Sequence, residues 1–138
     1  MRRVIVPLLL LVLVSSPVMG IDHFKKIWDG HYTPKGDAPG GGAVDPEFSR
    51  AARKAGCNIC HVKGGKKEEV RNEYGEALHE FLKAENYDKD RIKNEPEKVK
   101  EEIIAALKKV EEKKSKDGET FGAKLKANKL PATDSGVE

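Results

Sequence analysis

Cys57, Cys60 and His61 are the residues whose types and spacing specify chemistry most directly. They read Cys57-Asn58-Ile59-Cys60-His61, and the chain has no other cysteine. Two thiols three positions apart can each add across one vinyl group of the same porphyrin, which is the C-x-x-C-H pattern of c-type haem attachment. The residue that follows, His61, is then carried beneath the ring, where its imidazole can bind iron from the proximal side. Two other chemistries use the same residues. A thioredoxin-like redox pair needs a βαβ context, and no strand is legible around this segment. A zinc site would use the two thiolates plus histidines, which His61, His31 and His79 could supply, without the compact second ligand pair of such sites.

The start of the chain agrees with the first reading. Arg2 and Arg3 precede an apolar run from Val4 to Val14, and Val18-Met19-Gly20 offers small residues for cleavage. This is the layout of a secretory signal, expected to be removed after Gly20. The run of about eleven residues is short of the roughly 20 that span a bilayer, so no transmembrane anchor is expected in the mature chain. The expected location is periplasmic or secreted.

Loss of Arg2 and Arg3 takes the basic count from 26 to 24 against 23 acidic residues, and the formal charge from +3 to +1. A surface so nearly neutral argues against general nucleic-acid binding. The lysines between Lys63 and Lys67 flank the haem motif. They fit either a solvated loop or a surface that steers an acidic redox partner.

The elements that must hold this motif read as helices. Asp22 to Gly30 suggests a short helix with Phe24, Ile27 and Trp28 on one side. Tyr32 to Asp45 is rich in Gly and Pro and reads as a loop. Asp45-Pro46 is a start signal for a helix running to Ala55. Val70, Tyr74, Ala77, Leu78, Phe81 and Leu82 predict one apolar stripe on a helix from Glu68 to Ala84. Gly75 interrupts that helix at a cost of up to about 1 kcal/mol relative to alanine. It would allow close approach of a ring or another helix, so Tyr74 and Gly75 are candidate haem contacts. Asn86 to Asn94 reads as a charged connector. Asn94 is a candidate cap for a long helix buried through Val99, Ile103, Ile104, Ala106, Leu107 and Val110. Thr120 is a candidate cap for Phe121 to Ala127, and Pro131 onward reads as a frayed tail. The expected organisation is a signal at 1–20, a short helix and loop at 21–45, a haem domain at 46–131 and a flexible tail at 132–138.

A helix leading into C-x-x-C-H and a late amphipathic helix are similar to the class I cytochrome c arrangement. More narrowly, Cys57-Asn-Ile-Cys-His-Val62, Asn72-Glu-Tyr74-Gly75, Thr120-Phe-Gly122 and Lys129-Leu-Pro131 resemble a group of short exported bacterial monohaem cytochrome c-like proteins. The likeness runs from about Phe24 to Pro131. It implies a small all-α domain wrapped around one covalent haem c, attached at Cys57 and Cys60 and ligated by His61. It implies no reaction.

The chain departs from class I cytochromes at the sixth iron position, which those fill with methionine. Its only methionines are Met1 and Met19, inside the expected signal. The candidates are His79, His31, His23, a lysine such as Lys66 or Lys67, or an open site. On the single-stripe helix, His79 falls about 130° from the apolar centre, which argues against it. Two strong ligands suit a single-electron carrier between redox proteins. An open or weakly occupied site suits a protein that binds NO or CO or senses redox state. Neither reading makes the chain a dedicated enzyme, although an open iron site would leave room for weak reaction with peroxide.

Overall fold

In a computed structural model, the structure describes residues 20–34, 44–65 and 70–135. All of the expected signal but Gly20 therefore lies outside the described residues, as do most of the Gly-rich segment and Lys66 and Lys67. Among the described residues the protein is a small all-α domain of six helices with no strands. These are α1 (Gly20–Tyr32), α2 (Pro46–Ala55), α3 (Glu73–His79), α4 (Lys89–Asn94), α5 (Pro96–Glu111) and α6 (Phe121–Lys126). None is long and apolar enough to cross a membrane.

α5 is the centre of the domain, and α1, α3, α4 and α6 all pack against it. Its Val99, Ile103, Ala106, Leu107 and Val110 recur every three or four residues and are buried. That is the spacing that turns one helical face inward. Ile104 from the expected face is only half-buried. α1 belongs to this core and is not a separate leading segment, because Trp28 is buried and its indole donates to Tyr74 Oη at 3.1 Å. Farther along, Tyr32 Oη donates to Glu111 Oε1 at 2.8 Å, fastening the ends of α1 and α5 together.

Two caps match the sequence reading. Asp45 accepts from Glu47 N ahead of Pro46, and Thr120 Oγ1 accepts from Ala123 N. The proposed cap at Asn94 does not form. Residues Lys89 to Asn94 are themselves helical, started by Asp88, and α5 begins beyond Glu95 without a side-chain cap. The segment expected as a connector thus becomes α4, tied to α5 by the two bonds from Arg91 to Glu102 at 2.7 and 2.8 Å.

The largest correction concerns α3, which is far shorter than Glu68 to Ala84. Val70 and Phe81 of the expected stripe are 40% and 38% exposed, whereas Leu82 at its end is buried. Phe81 lies outside the core, with the ammonium groups of Lys109 and Lys113 each 5.6 Å from its ring centre. α3 instead carries two apolar faces. Tyr74 and Ala77 enter the core, whereas Gly75, Leu78 and His79 face a cleft. At about 100° per residue the centres of these faces lie about 120° apart, so a single-stripe analysis blends them.

The segment read as a frayed tail is packed as far as Ser135. Pro131, Ala132 and Ser135 are buried. Glu73 explains the anchoring. Its carboxylate accepts from Thr133 N at 2.8 Å, Thr133 Oγ1 at 2.9 Å, Ser115 Oγ at 2.9 Å and Lys116 N. Burial alone would raise the Glu73 pKa, but these four donors outweigh it and hold the carboxyl below its ordinary range. Lys124, buried in α6, completes the cluster by donating to Ser115 Oγ and Asp117 Oδ2.

A depressed carboxylate pKa adds stability above the unfolded-state value, about 4.3, and loses it as pH falls through the folded value. Glu73→Gln should therefore cost about 1–3 kcal/mol at pH 7. The difference from wild type should shrink as the pH is lowered through about 4 and below. Urea unfolding at pH 7 and pH 3.5 checks this, and an equal deficit at both values would contradict it.

Candidate functional site

The C-x-x-C-H segment begins where α2 stops. Gly56 has φ of +55°, a left-handed conformation that favours glycine. Its N–H donates to Ala52 O as the chain turns. Gly56–Ile59 then form a 3₁₀ turn. Cys60 N and His61 N both donate to Cys57 O, at 3.2 and 3.1 Å. This single turn sends Ile59 into the core, fully buried, and sets Cys57, Cys60 and His61 along one cleft. Both thiols are free.

The cleft itself holds about 200 Å³, somewhat below the roughly 300–1,000 Å³ of small-molecule and cofactor sites, and it opens to solvent at its mouth. α1 supplies Phe24 and Trp28 to its wall, α3 supplies Leu78, and α5 closes it with Ile103 and Leu107. Two cations lie among these apolar residues. Lys25 is paired with Asp29 and sits 5.4 Å from the Trp28 ring centre, and Arg71 is 3.9 Å from Glu76. Burial pushes the Cys60 thiol up to about 12, against the opposing charge of Lys25. Cys60 is thus held as a protonated thiol in an apolar wall at neutral pH.

The orientation of His61 is fixed by a carbonyl. Its Nδ1 lies 3.3 Å from Val70 O. A carbonyl can only accept, so in the neutral ring this contact places the proton on Nδ1 and leaves on Nε2 the lone pair that a metal requires. The same Val70 O accepts from Val62 N, and His61 pairs with Arg71 across an isolated antiparallel bridge. This backbone support is the kind that fixes the tautomer of a ligating imidazole.

Asn72 does most to hold the loop, and its role was missed in the sequence. It is 2% exposed. Its Nδ2 donates to Asn58 O at 2.9 Å and Ile59 O at 3.0 Å, its N–H donates to Cys60 O at 3.0 Å, and its Oδ1 caps α3 by accepting from Gly75 N at 2.9 Å. An Asn followed by Glu73 was a legible helix-start signal. The bonds back to the cysteine loop had no such signal. Gly75 is needed for a related reason, since a Cβ there would lie 1.9 Å from Cys60 O. The close approach foreseen for Gly75 is therefore to the backbone of the cysteine loop, although the residue also borders the cleft.

The other candidates separate clearly. Tyr74 is fully buried behind the cleft wall, bonded to Trp28 and edge-on to Phe121 at 5.2 Å, and is not a lining residue. His31 packs edge-on against Tyr32 at 4.6 Å and does not line the cleft. Burial lowers its pKa, partly offset by Glu111. His23 is also absent from the lining, and its Nε2 is buried without a partner. His79 does line the cleft. The helical geometry that argued against it used the wrong face of α3. Among the described residues, no three His, Cys, Asp or Glu side chains are grouped so as to hold a metal ion.

No family model matches the chain, and neither curated proteins nor solved structures yield a match.

Two substitutions probe the clamp. Asn72→Asp keeps the cap oxygen but faces two carbonyls with a carboxylate where an amide donated. Gly75→Ala drives a methyl group into the Cys60 carbonyl. Each should destabilise the protein by about 1–3 kcal/mol or more, read as a lower urea midpoint. An unchanged midpoint in both would refute the clamp.

Proposed function

We propose that the protein is an exported monohaem c-type cytochrome that carries single electrons between redox proteins. The observation that carries this reading is the convergence of Cys57, Cys60 and His61 on one apolar cleft, with His61 Nδ1 within reach of Val70 O. The residues present fit a covalently held haem c, one per chain. Two free thiols on one helical turn match its two vinyl positions, and Nε2 of His61 is the correct donor for iron. When bound, the haem supplies the one-electron iron couple. The protein supplies attachment, ligation, exclusion of water and a docking edge.

The chain's own residues set the electrostatics of such a site. Phe24, Trp28, Leu78, Ile103 and Leu107 keep the cleft apolar, which disfavours extra charge on a bound group. Lys25 and Arg71 provide positive charge suited to carboxylate substituents. The cytochrome c-like arrangement belongs to this proposal. It is supported by the approach of α2 into the cysteine turn and by the packing of α1 on α5.

Expression with an export signal and a haem-attachment system tests the reading. The expected product carries one haem per chain that survives acid extraction and denaturing electrophoresis. The double variant Cys57→Ala/Cys60→Ala should carry no covalent haem, and each single variant should retain one thioether bond in substoichiometric yield. Recovery of intact, folded wild-type protein without covalent haem would overturn the proposal.

A further inference from the structure

We propose that His79 is the second axial ligand of the iron held by His61, making the site six-coordinate with two histidines. This rests on the haem reading above and adds the identity of the opposite ligand.

Four observations point to His79. Methionine is absent from the described residues, as the two in the chain are Met1 and Met19. Of the four histidines, only His61 and His79 line the cleft. His79 shares one face of α3 with Gly75, one turn earlier, and Gly75 abuts the Cys60 carbonyl. An imidazole at this register stands about 6 Å farther along the wall from the attachment turn, set on a helix fixed to that turn by Asn72. Finally, among the described residues no hydrogen bond or ion pair engages the His79 ring.

The other polar groups of the cleft are poorer donors. Arg71 is paired with Glu76, and its guanidinium offers only donors. The Lys25 ammonium is occupied by Asp29 and the Trp28 face. Cys57 and Cys60 are consumed by attachment. His31 is held beside Tyr32, away from the cleft. On α1 the lining residues Phe24, Lys25 and Trp28 define a face from which His23 is rotated by about 145°.

The test uses holoprotein and needs no activity assay. Wild type should show sharp ferrous α and β bands that carbon monoxide leaves unmoved. His79→Ala should lose the sharp bands and shift on exposure to carbon monoxide, and added imidazole should restore the wild-type spectrum. His79→Met should stay six-coordinate with a higher reduction potential, since methionine–histidine ligation raises it. His31→Ala should match wild type. Circular dichroism of each variant separates loss of ligation from loss of fold, and the methionine variant keeps a ligand where alanine does not fold. A His79→Ala spectrum identical to wild type, or wild-type protein that itself binds carbon monoxide, overturns the assignment while leaving the covalent haem intact. Wild type lacking covalent haem overturns the underlying reading instead.

Discussion

A single buried amide organises this protein. Asn72 donates into the carbonyls of Asn58 and Ile59 through its side chain and of Cys60 through its backbone, and it accepts from Gly75 N. Those carbonyls lie in a turn too short to satisfy them internally. A buried polar group left without a partner costs about 1–3 kcal/mol, so this one residue carries much of the burden of a sharp loop. It also couples two elements that the site needs in register. The cysteine turn sets the positions of the thiols and of His61. α3, started by the same Asn72, sets those of Leu78 and His79. Neither can shift without breaking bonds to the other.

The next residue extends the coupling to the far side of the molecule. Glu73 collects donors from Ser115, Lys116 and Thr133. The three residues Asn72, Glu73 and Tyr74 thus face three ways. The first holds the cysteine loop, the second the C-terminal segment, and the third the aromatic core through Trp28. Gly75 completes the row by having no side chain. A short helix of seven residues acts as the hub between site, core and terminus because each position in its first turn has a different neighbour.

Much of this was legible in the sequence, for identifiable reasons. Asp45-Pro46 and Thr120 mark helix starts by local hydrogen bonding alone, and local signals survive into the structure. The buried face of α5 was legible because one helix packed on several partners still turns one broad apolar stripe inward. α3 was not, because a helix wedged between a core and a cleft has two stripes, and a periodicity analysis returns their blend. The same blend misplaced His79. The packed Pro131–Ser135 segment was illegible because its partner, Glu73, is sixty residues earlier, and no local pattern encodes such a contact. The cysteine motif was unmistakable in the sequence, whereas the amide that holds it was not.

The bond from Thr133 to Glu73 has a consequence for the order in which the chain becomes structured. Contacts that close long loops form late, since the entropy of closure is lost before they repay it. A chain made from its N-terminus contains Cys57 and Cys60 long before it contains Thr133. The start of α3 therefore cannot acquire its full set of anchors until Thr133 is present. Until then the wall bearing His79 lacks its last brace. The two thiols are thus presented early, and the pocket around them is locked only once the segment bearing Thr133 has been made.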